Sequence, residues 1–320
     1  MTPQLYIEPP PRHDPLIQPG GRFNVIVFGE VLADVFGDRT VLGGAPFNVA
    51  SHLHGFGQSP ILISRLGDDA LRDQVLQVMT EKGMATLGMQ FDKRHPSGQV
   101  LVHMDESSHR FEILPDQAYD FIHAGLVNMI TLMVHPVMIY FGTLAQRHYN
   151  SRRALKTLLR RDHAPRFLDI NLRAPWYDKR TLQQSLQLAN IVKLNEEELA
   201  ILARMFALVG DNNTEQARAL MRRFDLQQLY VTCGADGAWQ MDRGGKRIQA
   251  ICPDEITNFV DTVGAGDGFA AVCILGSLHG WRIEQTLARA NAFAGAICGI
   301  RGAIPDDAGL YAEHMRRWGL

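Results

Sequence analysis

Between residues 138 and 232 four short runs of β-branched and aromatic residues alternate with longer stretches of helical spacing. The runs are Met138-Ile139-Tyr140-Phe141, Arg166-Phe167-Leu168-Asp169-Ile170, Ile191-Val192-Lys193-Leu194 and Leu229-Tyr230-Val231-Thr232. The helical patterns cover 146–162, 178–189, 196–206 and 214–224. Strands that alternate with helices form βαβ units and a parallel sheet. Phe23-Asn24-Val25-Ile26-Val27-Phe28-Gly29 and Ile61-Leu62-Ile63-Ser64 add two buried strands upstream. Helical patterns at 45–56 (stopped by Gly57), 68–82, 265–280 and 284–300 complete the set. The expected fold is a doubly wound, mostly parallel α/β sheet flanked by helices. One pair breaks the alternation: Gln99 to Met104 and Arg110 to Ile113 flank the polar turn Asp105 to His109 and read as a hairpin. Segments 31–44 and 94–118 are therefore expected to form a small β-sheet over one end of the main sheet. Ligands of such folds sit beyond the carboxyl ends of the strands, so the small sheet would serve as a lid.

Charge and composition exclude several classes. The 320 residues carry 32 Lys plus Arg against 34 Asp plus Glu, a net charge of −2. Nothing electrostatic calls for nucleic acid or an anionic membrane as a partner. No run reaches the roughly 18 apolar residues of a membrane span. Pro3, Pro9, Pro10, Pro11, Pro15 and Pro19 mark residues 1–22 as an extended arm, neither signal peptide nor anchor, ahead of one domain over 23–320. The cysteines, Cys233, Cys252, Cys273 and Cys298, form no C-x-x-C pair. Such usage suits a reducing cytoplasm. His52 and His54 stand two apart and do not share a helix face. They are expected on a helix surface rather than on a metal.

The chemistry concentrates in Asp261-Thr262-Val263-Gly264-Ala265-Gly266-Asp267-Gly268, a Gly-rich turn entering an apolar helix. A helix N-terminus exposes free N–H groups and partial positive charge, which favour an anion. Gly264 and Gly266 let the backbone approach a ligand. A carboxylate at Asp267, among those donors, makes sense as a base for a hydroxyl that attacks a phosphoryl group.

The segment Asp261 to Asp267 resembles the D-T-x-G-A-G-D signature of the ribokinase-like sugar kinases, the PfkB carbohydrate kinase family. Gly43-Gly44-Ala45-Pro46-Phe47-Asn48 resembles the other half of that family's pattern, and the likeness runs from about Phe23 to Pro305. The resemblance implies an ATP-dependent kinase for a sugar hydroxyl. Asp267 would be the base, and the amides of Gly264, Ala265 and Gly266 the anion hole. Asp34, Gly43, Gly44 and Asn48 would hold sugar hydroxyls, with Arg173 of the D-x-N-x-R-like Asp169-Ile170-Asn171-Leu172-Arg173 reaching a phosphate. Lys193, Asn195 and Glu198 lie in an N-x-x-E-like element that would act through water on Mg²⁺ at the ATP phosphates. On its own, Asn195-Glu196-Glu197-Glu198 is a good helix start. Thr232, Gly234 and Gly237, in a V-T-x-G-x-x-G-A-like turn, would line ATP, with Asn291 near adenine. A monovalent cation, potassium, would sit beside the anion hole at Asp261, Val263, Ile297, Ile300 and Gly302. Here the chain departs from many relatives, which carry Thr and a basic residue where it has Gly299 and Ile300.

The stretches Phe28 to Phe36, Leu42 to Ala50, Pro96-Ser97-Gly98-Gln99-Val100 and Ala118-Tyr119-Asp120 look most like bacterial fructokinases. D-fructose is therefore the expected acceptor. 2-Keto-3-deoxygluconate is next, then ribose and nucleosides, and a silent sugar-binding regulator is the non-enzyme alternative. Phe28-Gly29-Glu30-Val31 lacks the G-x-G-x-x-G of a Rossmann oxidoreductase, and Gly244-Gly245-Lys246 is followed by Arg247, so no P-loop is present. Family likeness also implies a homodimer through the lid.

Overall fold

The computed structural model describes residues 22–36, 39–105, 108–250 and 259–320. The expected Pro-rich arm lies outside these residues, apart from Arg22 at its end. The chain opens with β1 (Asn24–Phe28), β2 (Leu32–Phe36), β3 (Arg39–Gly43), α1 (Ala45–Gly55), β4 (Ser59–Gly67), α2 (Ala70–Glu81) and β5 (Met89–Asp92). Next come β6 (Gly98–Asp105), β7 (Ser108–Ile113), α3 (Ala124–Met133), β8 (Met138–Phe141), α4 (Tyr149–Arg161), β9 (Arg166–Asp169), α5 (Lys179–Leu188), β10 (Ile191–Asn195) and α6 (Glu196–Phe206). It ends with α7 (Asn213–Phe224), β11 (Gln228–Thr232), β12 (Ala238–Asp242), β13 (Arg247–Ala250), α8 (Ala265–Leu278), α9 (Ile283–Cys298) and α10 (Gly309–Trp318).

Nine strands form the main sheet in the order β13-β12-β11-β10-β9-β8-β1-β4-β5. From β11 to β5 all neighbours are parallel, while β12 and β13 are added antiparallel. Strand β1 explains why its sequence is apolar at every position. Ile26 and Phe28 face a core built with α4 to α7, and Val25 and Val27 face a second core built with α1, α2, α8 and α9. A strand covered by helices on both faces has no solvent side. The chain leaves β1 toward β4 on one side and β8 on the other, so the order reverses there. A crevice opens at such a switch point beyond the carboxyl ends of the strands.

The four-stranded sheet has the order β3-β2-β6-β7. The expected β6–β7 hairpin is present, and β2 pairs parallel with β6. That pairing brings together segments 31–44 and 94–118.

Several elements escaped the sequence. Strand β5 and helix α3 are short, and α3 is apolar on exposed as well as buried positions, with Met129, Leu132 and Met133 exposed. Strands β12 and β13 carry buried Gln240 and a charged Arg247 where alternation is sought. Helix α10 is held by aromatic packing of Tyr311, His314 and Trp318 against Phe56 and Phe293, which no periodicity encodes. His52 corrects the sequence reading: it is fully buried, not on a helix surface. Its Nδ1 lies 3.0 Å from the Tyr311 hydroxyl and its ring meets Phe293 edge-on. No helix among the described residues is long and apolar enough to cross a membrane.

Candidate active site

Helix α8 starts where the Gly-rich turn enters the core. Gly264 caps it at φ 80°, a left-handed conformation that favours glycine, and a Cβ there would overlap Ala303. The amide of Ala265 bonds the Thr262 carbonyl at 3.2 Å. The amides of Gly264 and Gly266 find no backbone acceptor among the described residues. One of the three expected anion-hole donors is thus engaged within the turn, and two remain for a ligand. Asp267 follows on the first turn of α8, 9% exposed.

Asn48, on the first turn of α1 and 4% exposed, donates from Nδ2 to Asp267 Oδ2 at 2.7 Å. The two residues stand 219 positions apart, and the packing of α1 on α8 joins them. Asn48 Oδ1 is buried without a hydrogen-bond partner among the described residues. Burial lifts the Asp267 carboxyl above its ordinary value. The Asn48 bond opposes that shift, Asp169 adds to it, and Lys193 and Arg173 oppose it. Gly44 precedes α1 at φ 102°, and a Cβ there would lie 2.9 Å from the Glu30 carbonyl oxygen. A Cβ on Gly43 would stand 4.0 Å from Asn48 Oδ1. Asp34 enters from β2 of the small sheet; burial raises its carboxyl and Arg173 pulls it back. Exposed Arg173 lies within electrostatic reach of Glu30, Asp34, Asp169 and Asp267. The structure therefore gathers Asp34, Gly43, Gly44, Asn48, Arg173 and Asp267 at one end of the main sheet.

A second charged pair lies beneath the turn. Lys193 and Asp169 are cross-strand partners on β10 and β9. Lys193 Nζ lies 3.1 and 3.2 Å from the two carboxylate oxygens, and the Tyr140 hydroxyl donates to Oδ2 at 3.3 Å. Burial pulls the Lys193 ammonium down, but Asp169, Glu198 and Asp267 outweigh it and hold Lys193 above its ordinary value. A Cβ on Gly266 would sit 3.0 Å from Lys193 Nζ. The lysine therefore stands directly behind the Gly-rich turn, close against Gly266.

The Asn195 side chain accepts from the Glu198 amide at 2.8 Å. Glu198 Oε2 accepts from the Asn195 amide at 2.9 Å and Oε1 from the Leu172 amide at 2.7 Å. This is a reciprocal cap of α6. Each Glu198 oxygen accepts one backbone hydrogen bond and keeps a further lone pair, so the carboxylate can still meet a water or a cation. Thr232 ends β11, its hydroxyl 3.5 Å from the Leu194 carbonyl. Gly234 and Gly237 follow at φ 58° and 86°, and a Cβ on Gly234 would meet nothing within 4 Å. Space is open there for a ligand. Asn291 Nδ2 donates to the Ala250 carbonyl at 3.0 Å. That bond ties α9 to the end of β13.

The Cys298 carbonyl accepts from the Val260 amide at 2.9 Å and the Asp261 amide at 3.4 Å. This joins the segment of Asp261 and Val263 to that of Ile297, Ile300 and Gly302. Asp261 Oδ1 already takes the Val263 amide at 2.6 Å. No three His, Cys, Asp or Glu side chains group as a metal site among the described residues. A cation in this loop would be held through carbonyl oxygens and water, the set that hard monovalent ions accept.

Three groups at the site were not singled out from sequence. Asp169 entered only as part of a pattern, although a charged residue closing an apolar strand was a usable signal. Glu30 lies two residues after β1, within the fructokinase-like stretch Phe28 to Phe36 but given no role there, and Arg147 lies six residues after β8, outside any motif; both are discussed below.

Comparisons with known proteins identify the family. The profile described as pfkB family carbohydrate kinase matches residues 22–308. A fructokinase of Escherichia coli is 28% identical over 266 residues, 79% of this chain and 83% of that protein. A 2-dehydro-3-deoxygluconokinase of Haemophilus influenzae is 26% identical over 281 residues, 84% and 89% of the two chains. The crystal structure of fructokinase with bound ATP from Xylella fastidiosa superposes with a TM-score of 0.78 at 19% identity, covering 93% and 99% of the chains. A Gly-capped helix start, a buried carboxylate held by an early asparagine and a family profile spanning nearly the whole chain give one conclusion: this protein belongs to the pfkB family of carbohydrate kinases and is a phosphotransferase acting on a sugar hydroxyl.

Proposed function

We propose that the chain transfers the γ-phosphoryl group of ATP to the primary hydroxyl of D-fructose, giving fructose 6-phosphate. The observation that carries the reaction is the 2.7 Å bond from Asn48 Nδ2 to Asp267 Oδ2 at the start of α8. It fixes the carboxylate and leaves Oδ1, which makes no hydrogen bond among the described residues, to take the hydroxyl proton. The choice of fructose is supported by the likeness to bacterial fructokinases around Phe28 to Phe36 and Leu42 to Ala50, and by the Escherichia coli relative.

The mechanism follows from placement. Asp34, Gly43, Gly44 and Asn48 hold the sugar with its primary hydroxyl against Asp267. The amides of Gly264 and Gly266 accept the charge of the transferred group, with Lys193 behind them and Arg173 at the rim. Thr232, Gly234, Gly237 and Asn291 line the nucleotide, and Asn195 and Glu198 act through water toward Mg²⁺. When bound, Mg²⁺ supplies neutralisation of the phosphate oxygens. The four-stranded sheet carries Asp34 on β2, so its closure brings a sugar ligand in and shuts out water, the competing acceptor. Potassium at Asp261, Val263, Ile297, Ile300 and Gly302 would order the anion-binding turn. The same reading includes a cytoplasmic homodimer through the small sheet, which predicts a sedimentation mass of twice the 35.7 kDa chain.

The Haemophilus influenzae relative and the element Asp169-Ile170-Asn171-Leu172-Arg173 favour a second reading, 2-keto-3-deoxygluconate as acceptor. ADP release from Mg-ATP with potassium decides between them, run with D-fructose, 2-keto-3-deoxygluconate and D-ribose. Release with fructose alone is expected. Release with another sugar replaces the acceptor, and release with none refutes the kinase assignment for this chain.

A further inference from the structure

Among the described residues eleven buried polar side-chain atoms have no hydrogen-bond partner, and four of them belong to groups around the sugar end of the site: Glu30 Oε2, Asn48 Oδ1, the Tyr119 hydroxyl and Arg147 Nη1. A buried donor or acceptor left unpaired is unfavourable, and native proteins rarely keep several together unless something binds there. Glu30 stands one residue beyond Gly29 at the carboxyl end of β1, on the switch-point side of the sheet, and is 4% exposed. Its carbonyl abuts Gly44 of the sugar-binding turn. The Tyr119 ring lies where a Cβ on Gly98 would be, beside the Val31 carbonyl, so it borders the hinge between β1 and the small sheet.

Arg147 follows β8, the other strand at the switch point. Its Nε and Nη2 reach the two Asp120 oxygens at 2.8 and 2.7 Å, and Nη2 also reaches the Leu114 carbonyl at 2.7 Å. The guanidinium is clamped between Tyr119 and Trp176, 5.0 and 4.4 Å from their ring centroids. The position is rigid, the charge is already balanced by Asp120, and only Nη1 is left to give. Glu30 interacts electrostatically with Arg173, Asp267 and Arg147, and Tyr119 with Arg147 and Glu30.

We infer that Glu30, with Arg147 and Tyr119, forms the specificity-determining end of the sugar pocket and selects an uncharged polyhydroxy sugar over a sugar acid. The inference rests on the kinase reading above and deepens it. A sugar hydroxyl can donate to Glu30 Oε2 or accept from Arg147 Nη1, and either bond pairs an atom that otherwise has no partner. A carboxylate cannot donate, and it would face the carboxyl groups of Glu30, Asp34 and Asp267 with Arg173 as the one cation not already balanced among these groups. Burial pushes the Glu30 carboxyl up to about 7, against the pull of its own backbone amide, Arg173 and Arg147. Such a group both accepts and donates near neutrality, which suits hydroxyls again.

The test is steady-state kinetics of the full chain with D-fructose and D-ribose as neutral acceptors and 2-keto-3-deoxygluconate as the acid. The wild type is expected to favour a neutral sugar. Glu30→Gln keeps the shape and should raise KM for that sugar roughly tenfold, with kcat changed far less. It should move the ratio of kcat/KM between neutral sugar and acid roughly tenfold toward the acid. Tyr119→Phe, which removes one hydroxyl from the same end, should shift the ratio in the same direction and serves if Glu30→Gln does not fold. A wild type that prefers the acid overturns the inference. So does an active wild type whose discrimination neither variant moves, which leaves the kinase reading standing. No turnover with any sugar sinks both.

Discussion

Replacing Asp267 by Asn separates chemistry from architecture at this site. The 2.7 Å bond from Asn48 Nδ2 ends on Asp267 Oδ2. An asparagine carbonyl oxygen can accept the same bond, so α1 stays joined to α8 and the pocket keeps its shape. What disappears is the proposed base. Loss of a positioned general base costs about two to four orders of magnitude in turnover, or roughly 3–5 kcal/mol of barrier at about 1.4 kcal/mol per decade. Stability should move the other way. Burial raises the folded-state pKa of Asp267 above its unfolded value. The folded protein then holds the proton more tightly than the unfolded chain, and stability falls as pH rises through the folded value. At neutral pH the ionised carboxylate therefore destabilises the fold, and the neutral amide relieves that. Coupled ADP-release assays of Asp267→Asn should show kcat reduced 100-fold or more with KM for sugar little changed, while thermal unfolding shows Tm equal to or above that of wild type. Turnover within about tenfold of wild type would refute the assignment of the base. A large fall in Tm would refute the claim that the side chain is there for chemistry rather than for folding.

Gly264→Ala forces a Cβ onto Ala303 at φ 80°; it should cost about 1–3 kcal/mol in urea unfolding and lower ADP release more than sugar binding. Lys193→Met leaves Asp169 buried without its 3.1 Å partner and should destabilise by about 3–5 kcal/mol. Adding Asp169→Asn should restore most of that stability but not phosphoryl transfer; recovery of activity in the double variant would remove Lys193 from the mechanism. His52 is buried and neutral, its imidazole lowered to about 3 by burial. Because the unfolded chain takes the proton near pH 6.5, stability should be lost progressively as pH falls from 6.5 toward 3, and His52→Gln should flatten that limb in denaturation curves.

The parts of the molecule legible in the sequence are those whose physics is local. The Gly-rich turn with Asp267 is contiguous, so the need for positive φ, free amides and a carboxylate at one helix start is written in eight residues. The strands at 138–141, 166–170, 191–194 and 229–232 are legible because helices cover both faces and leave an apolar residue at nearly every position. Where a strand carries function the pattern breaks, and the breaks are informative: Asp169 and Lys193 interrupt two apolar runs at the same register and turn out to be one buried ion pair. His52 failed for the opposite reason. A titratable residue on a helix reads as surface, but α1 is buried on all sides, and the cover over His52 comes from Tyr311 and Phe293, more than 200 residues away.

The pairing of Asn48 with Asp267 lies between these cases. Each residue is the polar member of a Gly-containing helix start, and each alone is an ordinary cap. Only the packing of α1 on α8 turns two caps into a held carboxylate with one free oxygen. Glu30 and Arg147 lacked even that much local context, since a single charged residue after a strand is common. What distinguishes them is three-dimensional: they lie in the segments that leave the two strands flanking the switch point, their side chains are buried, and each keeps an atom without a partner among the described residues. The transfer chemistry of this chain is therefore carried by contiguous motifs. On the proposed reading, its choice of sugar is carried by isolated residues that the fold brings together beyond the carboxyl ends of β1 and β8.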